Sequence, residues 1–259
     1  MKRRSFIQTS LAALGTTTMT AAVSAAEHNS RELYELRVYS LPAKNQERLD
    51  GYLSQAFLPA LKRYGIGPVG VFVEKSGEEK RQVYVLIVHP SAEQIVTLSA
   101  RLHADEQHHK AAKEYLGARP IDPVYTRIDS SLLSAIEGMP RLAKPDTSKP
   151  RLLNLRIYES HNERAAHKKI EMFNKSELEI FRRVGLTPVF FAERLVGAAM
   201  PNLTYMLVFP DDAGRQAAWV RFIKDDEWLK LKAIPEYADK EIVSQITNKI
   251  LVPAPYSEI

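Results

Sequence analysis

The chain has 259 residues, no cysteine and a formal net charge of +5. The absence of cysteine excludes disulfide frameworks, thiolate metal sites and cysteine nucleophiles. Lys2, Arg3 and Arg4 lie in a leader with no acid before Glu27, so removing it takes the charge to +2. That is too balanced for the clustered basic face of a nucleic-acid binder.

Residues 1–26 read as an export signal: a basic start, a mildly apolar run from Ser10 to Val23, then the small residues Ser24-Ala25-Ala26. Arg3-Arg4, with Phe6 two positions after the second arginine, resembles a twin-arginine (Tat) signal. An ordinary Sec signal or a lipid-facing anchor fits the same stretch. The run is too short and too rich in threonine to span a bilayer stably. The expected location is therefore periplasmic or secreted, with no stable membrane span in the mature protein.

After the leader, Leu33 to Leu41 alternates like a strand, with Tyr34, Leu36 and Val38 on one side and Glu35, Arg37 and Tyr39 on the other. Leu49, Leu53, Ala56, Phe57, Ala60, Leu61 and Tyr64 recur at helical spacing and stop at Gly65. Val69 to Glu74 and Gln82 to Val88 read as two strands joined through Ser76-Gly77-Glu78-Glu79. Ser91 is placed to cap a helix carrying Ile95 and Leu98, a further helical region runs to about Leu116, and a last strand or arm falls within Pro123 to Ile136. This order, strand, helix, strand, strand, helix, strand, is a ferredoxin-like unit.

The unit then repeats. Leu36-Arg37-Val38-Tyr39 returns as Leu155-Arg156-Ile157-Tyr158, 119 positions later. Gly65 returns as Gly185, Glu74 as Glu193, and Leu86-Ile87-Val88-His89-Pro90 as Met206-Leu207-Val208-Phe209-Pro210. So long a period argues for two duplicated units rather than a solenoid. The expected divisions are a signal over 1–26, a first repeat over 31–137, a linker over 138–150 and a second repeat over 151–259. In the second repeat, a helical region from Asp212 is interrupted at Pro235, resumes over Glu236 to Ile246, and precedes a closing Leu251 to Ser257.

Tyr34-Glu35-Leu36-Arg37-Val38-Tyr39, Gly65, Val69-Gly70, Asp225-Asp226-Glu227-Trp228 and the closing Leu251-Val252-Pro253-Ala254-Pro255-Tyr256-Ser257 resemble the NIPSNAP family of the dimeric α+β barrel superfamily. The resemblance covers nearly all of the mature chain in two copies. It implies an α+β fold in which two tandem ferredoxin-like repeats face each other as a dimeric α+β barrel-type arrangement, here with both repeats in one chain. It implies little about reaction type, because relatives on this barrel include cofactor-free oxygenases, haem-degrading enzymes and plain binding proteins.

The candidate ligand-binding residues follow from the strand alternation. If Leu36 and Val38 pack under the helices, then Glu35, Arg37 and Tyr39 face the barrel interior, and Asn154, Arg156 and Tyr158 repeat them. Two arginines and two tyrosines there would hold an anionic or phenolic molecule. Glu74 and Glu193 join the set, and the competing reading is that they pair with the arginines, because a buried charge needs a partner. His103, Asp105, His108 and His109 suggest a metal only on a continuous helix that lacks a third ligand, and Glu163 with His167 reads as a solvated pair. Asp225-Asp226-Glu227-Trp228 reads as a helix start with Trp228 as a core anchor. No phosphate loop, nucleophile elbow or zinc-protease spacing is present.

The expected function is binding of a small hydrophobic or phenolic molecule in the barrel interior, with no resident cofactor and no metal. The alternatives are a cofactor-independent oxygenase using Arg37, Arg156, Tyr39 and Tyr158, and an oligomeric scaffold without a ligand. Homo-oligomerisation is compatible with each.

Overall fold

A computed structural model describes residues 31–74 and 80–259; the stretch read as an export signal and the Ser76-Gly77-Glu78-Glu79 connection lie outside these. In each half the alternating segments form strands and the 3.6-period segment a long helix. The first half contains β1 (Leu33–Pro42), α1 (46–63), β2 (Val69–Glu74), β3 (Lys80–His89), α2 (Ala92–Ala104), α3 (Glu106–Ala111), α4 (Lys113–Leu116) and β4 (Arg127–Ala135). The second contains β5 (Leu152–Glu159), α5 (163–184), β6 (Thr187–Val196), β7 (Asn202–Phe209), α6 (Asp212–Ile223), α7 (Asp226–Lys232), α8 (Asp239–Ile242) and β8 (Gln245–Pro253). Helix α8 is far shorter than the helix expected over Glu236 to Ile246, because Gln245 and Ile246 already belong to β8 and pair with Glu159 and Tyr158.

The eight strands close a barrel in the order β1-β3-β2-β8-β5-β7-β6-β4, every neighbouring pair antiparallel. Each half supplies a ferredoxin-like sheet of four, and the seams are β2 against β8 and β4 against β6. One chain thus completes the barrel. Closure leaves no strand edge open, which removes the main liability of a small sheet.

Three apolar clusters fill the molecule. Tyr34, Leu36, Phe72, Tyr84, Leu86, Leu133, Leu155, Phe190, Met206 and Leu251, from all eight strands, form the cluster inside the barrel. Tyr39, Leu49, Leu53, Phe57, Leu61, Val71 and Val85 pack between the first sheet and its helices. Tyr158, Phe173, Phe181, Phe191, Tyr205, Phe222 and Trp228 do the same in the second half. Both faces of the sheet are therefore buried, one by closure and one by helices.

Helix ends follow the expected chemistry. Ser91 accepts from Gln94 N, Asn162 from Ala165 N, and Asp225 from Glu227 N and Trp228 N, each satisfying amides that open a helix. Trp228 is buried as the core anchor expected of it. Gly65 (φ +69°) and Gly185 (φ +86°) both take the left-handed conformation that ends the long helices. Both long helices also widen into a π-turn, over Leu53–Phe57 and Phe173–Glu177, 120 positions apart. Such insertions mark functional helices often enough to direct attention there.

Candidate functional sites between sheet and helices

The inward and outward rows of the sheet are the reverse of the sequence expectation. Tyr34 and Leu36 belong to the interior cluster with Val38 against it, whereas Tyr39 belongs to the sheet–helix cluster and Arg37 lies over the Phe57 ring of α1. Likewise Leu153 and Leu155 point inward, and Arg156 and Tyr158 face the second helix layer. The reason is polarity: the closed interior takes the apolar rows of β1 and β5, and the rows that carry the arginines go under the helices. Because β1 and β5 stand four strands apart in the ring of eight, Arg37 and Arg156 lie on opposite flanks and do not converge.

In the first cleft the arginine is neutralised. Arg37 Nε and Nη2 donate to Glu35 Oε1 and Oε2 at 2.5 and 3.0 Å, a side-on bidentate pair. Ser130 Oγ donates to Glu35 Oε1 at 2.7 Å, and the buried His89 Nε2 stands 3.3 Å from Oε2. Burial pushes the Glu35 carboxyl upward, but the hydrogen bonds from His89, Arg37 and Ser130 outweigh it and hold the pKa at about 2. Beyond Arg37 runs a row of tyrosines. Tyr39 meets Tyr125 edge-on at 5.7 Å, Tyr125 neighbours Tyr115 at 6.0 Å, and Tyr115 stacks on Tyr52 at 3.6 Å. Burial raises the pKa of Tyr39, Tyr52 and Tyr115, so these hydroxyls stay protonated. Tyr52 and Tyr115 border a surface cleft of about 720 Å³ that Tyr256, Arg48 and Asp50 also line.

Between the second sheet and its helices the position of Glu35 is taken by Asn154, whose amide donates to Asn248 Oδ1 at 2.6 Å. Arg156 is left with no carboxylate within ion-pair distance among the described residues. Its guanidinium lies over the Trp219 ring at 4.5 Å and near that of Tyr158 at 5.3 Å, while its Nε and Trp219 Nε1 are both buried without a hydrogen-bond partner. Tyr205 donates to Tyr158 at 2.8 Å beside it, and burial lifts the Tyr205 hydroxyl far above the ordinary phenol range. Deeper still, Lys169 donates to Glu177 at 2.9 Å, with both side chains 2% exposed. Phe173, Tyr158 and Trp228 surround the ammonium at 4.8, 5.5 and 5.7 Å, a cation–π cage. Burial raises the Glu177 pKa although Lys169 opposes it.

The remaining candidates scatter. Glu74 pairs with Lys249 at 3.0 Å, and Glu193 stands 3.3 Å from His167 on α5, so neither neutralises an arginine as expected. Glu163 and His167 do not form the solvated pair expected within α5, because His167 turns to Glu193 on the sheet instead. Asp105 ends α2 and caps α3, accepting from His108 N, Arg63 and Tyr64 at 2.9, 2.5 and 2.6 Å. The helix thus breaks where a metal pair needed it continuous, and no group of three metal-ligating side chains occurs among the described residues.

Sequence reasoning missed His89, Lys169 and Glu177, and placed Tyr205 and Trp219 only in the core. One signal was available: at a shift of 120, Lys169 and Glu177 stand where the first half has Leu49 and Phe57, charge in place of core.

The NIPSNAP family model matches residues 34–123 and again 153–258, one copy on each half. The chain belongs to the NIPSNAP family. No curated protein matches the NIPSNAP chain in sequence. Among solved structures it is similar to a Fusobacterium nucleatum subsp. nucleatum protein provisionally named a monooxygenase, at 6% identity and TM-score 0.57, covering 86% of this chain and 93% of the other. A Lactobacillus acidophilus protein with the same provisional name is 12% identical at TM-score 0.56, covering 86% and 94%. An anthrone oxidase-like protein is 9% identical at TM-score 0.56, covering 87% and 92%. At such identities the likeness shows the shared fold and nothing of the chemistry.

Proposed function

We propose that this NIPSNAP protein binds a small aromatic molecule carrying an anionic oxygen, a phenolate above all, in the second sheet–helix cleft rather than at the centre of the barrel. The observation that carries this reading is Arg156: a half-buried cation without a carboxylate, its Nε unpartnered, stacked on an indole whose own N–H is unpartnered. A half-buried cation without a paired carboxylate and two unpartnered donors favour an anionic acceptor, and the Trp219 face favours a flat apolar body.

The chain has two tryptophans, Trp219 and Trp228, and both adjoin this cleft. Titration with alizarin, a flat acidic phenol, should therefore quench intrinsic fluorescence saturably. Arg156→Met should weaken binding about tenfold or more, the 1.4 kcal/mol scale of one lost charge-assisted contact. Unchanged quenching in Arg156→Met would refute the site.

A second reading, cofactor-free oxidation of the bound phenol, draws on the Tyr158–Tyr205 hydroxyl pair, which could carry a proton beside Arg156. Dioxygen uptake on adding the phenol, lost in Tyr158→Phe, would favour it; binding without uptake would leave a carrier. Export through the Tat pathway belongs to the same proposal, supported by Arg3-Arg4 and the run that follows. Replacing both arginines with lysine should hold the protein in the cytoplasm, and unaffected export would argue for another route.

A further inference from the structure

Each long helix sets a carboxylate against a tyrosine just before its π-turn, and the two halves complete that pair differently. On α5, Glu171 accepts from Tyr237 at 2.8 Å and from two ammonium groups, Lys168 at 3.0 Å and Lys175 at 2.6 Å. The Lys168 ammonium also lies over the Tyr237 ring at 5.6 Å. Hydrogen bonds from Lys175, Lys168 and Tyr237 hold the Glu171 carboxyl down at about 2.

On α1 the carboxylate is Asp50, which accepts from Tyr256 of the closing tail at 2.5 Å. Burial, reinforced by Asp50, lifts the Tyr256 hydroxyl above the ordinary phenol range, so it remains the donor. No cation pairs with Asp50 among the described residues. At the shift of 120 that superposes the π-turns, Gln55 stands in place of Lys175 and Arg48 in place of Lys168. Arg48 pairs instead with Asp122 at 3.1 Å and Glu114 at 3.9 Å. In this half the arginine under the sheet is matched, and the partly buried carboxylate is not.

Room accompanies the missing cation. Asp50 and Tyr256 line the surface cleft of about 720 Å³ that Tyr52 and Tyr115 border. Where α5 carries Glu171, α1 has Gly51, and a Cβ added there would meet no atom within 4 Å. Glycine inside a helix is unfavourable, and here it leaves the cleft open beside Asp50. Three carboxylates, Glu47, Asp50 and Glu114, line the cleft against two cations, Lys44 and Arg48, so its own charge is negative.

We infer that this cleft binds a small primary amine, its ammonium on Asp50 against the Tyr256 ring, as Lys168 is held between Glu171 and Tyr237, and its apolar body along Tyr52 and Tyr115. The site lies in the first half and does not rest on the Arg156 reading.

The test is calorimetric titration of the full chain near neutral pH with 2-phenylethylammonium chloride, and with 2-phenylethanol as the same body without the charge. The amine should bind saturably and at least about tenfold more tightly than the alcohol. Asp50→Asn should weaken amine binding about tenfold. Gln55→Lys, at an exposed position, restores the lysine of the second half and should weaken the amine similarly by occupying the carboxylate. No saturable binding of the amine, equal affinity for the alcohol, or wild-type affinity in either variant overturns the proposal. No tryptophan lines this cleft. Quenching by alizarin therefore reports the Arg156 site alone, and the two proposals fail separately.

Discussion

The two halves of the molecule repeat one order of strands and helices and differ in how their charges are paired. Both place an arginine and a tyrosine at matching positions under a long helix with a π-turn, yet Arg37 is consumed by Glu35 while Arg156 faces Asn154 and an indole. Where the first half fills its helix with Leu49 and Phe57, the second buries Lys169 against Glu177. Duplication preserved the frame and released one copy from neutrality. The first cleft is organised for stability, and the second retains unused donors, the property expected of a binding site.

The largest expected effect comes from making the second half resemble the first at the buried pair. Lys169→Leu alone strands the Glu177 carboxylate and should cost about 3–5 kcal/mol in chemical unfolding. Adding Glu177→Phe should recover most of that loss, because a well-packed apolar pair is often no worse than a buried ionic one. Equal stability of the single and double variants would mean that the pair is not coupled as drawn.

Next in size is Glu35→Gln, which leaves Arg37 unpaired and should cost about 3 kcal/mol near neutral pH, the equivalent of holding a carboxyl from its ordinary value near 4.5 down to about 2. The sign follows from that depression: the stabilisation is present above about pH 4.5 and is lost as pH falls towards 2. The wild type should therefore lose stability over that window more steeply than Glu35→Gln, in which the step should flatten. Parallel curves would remove Glu35 as the cause.

The converse exchange, Asn154→Glu, would supply Arg156 with the carboxylate that Arg37 has. It should weaken alizarin binding about tenfold while the far-ultraviolet circular dichroism stays unchanged. Retained affinity with the fold intact would show that the uncompensated charge is not what attracts the ligand. Smallest is Tyr205→Phe, which removes one hydroxyl from a buried pair and should cost about 1 kcal/mol.

Much of this fold was legible in the chain itself. The repeated Leu-Arg-aromatic strand, the glycines that end both long helices, and the acids that start α7 are local signals with local causes. Those signals identified two ferredoxin-like units and the strand rows that carry Arg37, Tyr39, Arg156 and Tyr158. The face on which those residues lie was misread, and the partners of Glu74 and Glu193 were not legible at all. Alternation separates two rows of side chains but does not say which row goes inside when both faces of a sheet are buried. Lys249 meets Glu74 from 175 positions away, across the β2–β8 seam that joins the halves.

By itself, then, the sequence determined the periodicities, the duplication, the helix ends and the presence of charge where an apolar copy exists. Closure of the eight strands decided the rest. It sent the apolar rows of β1 and β5 inward and Arg37 and Arg156 outward, and placed those two arginines on opposite flanks. Those outcomes depend on strand order and interior volume, which exist only once distant segments have paired.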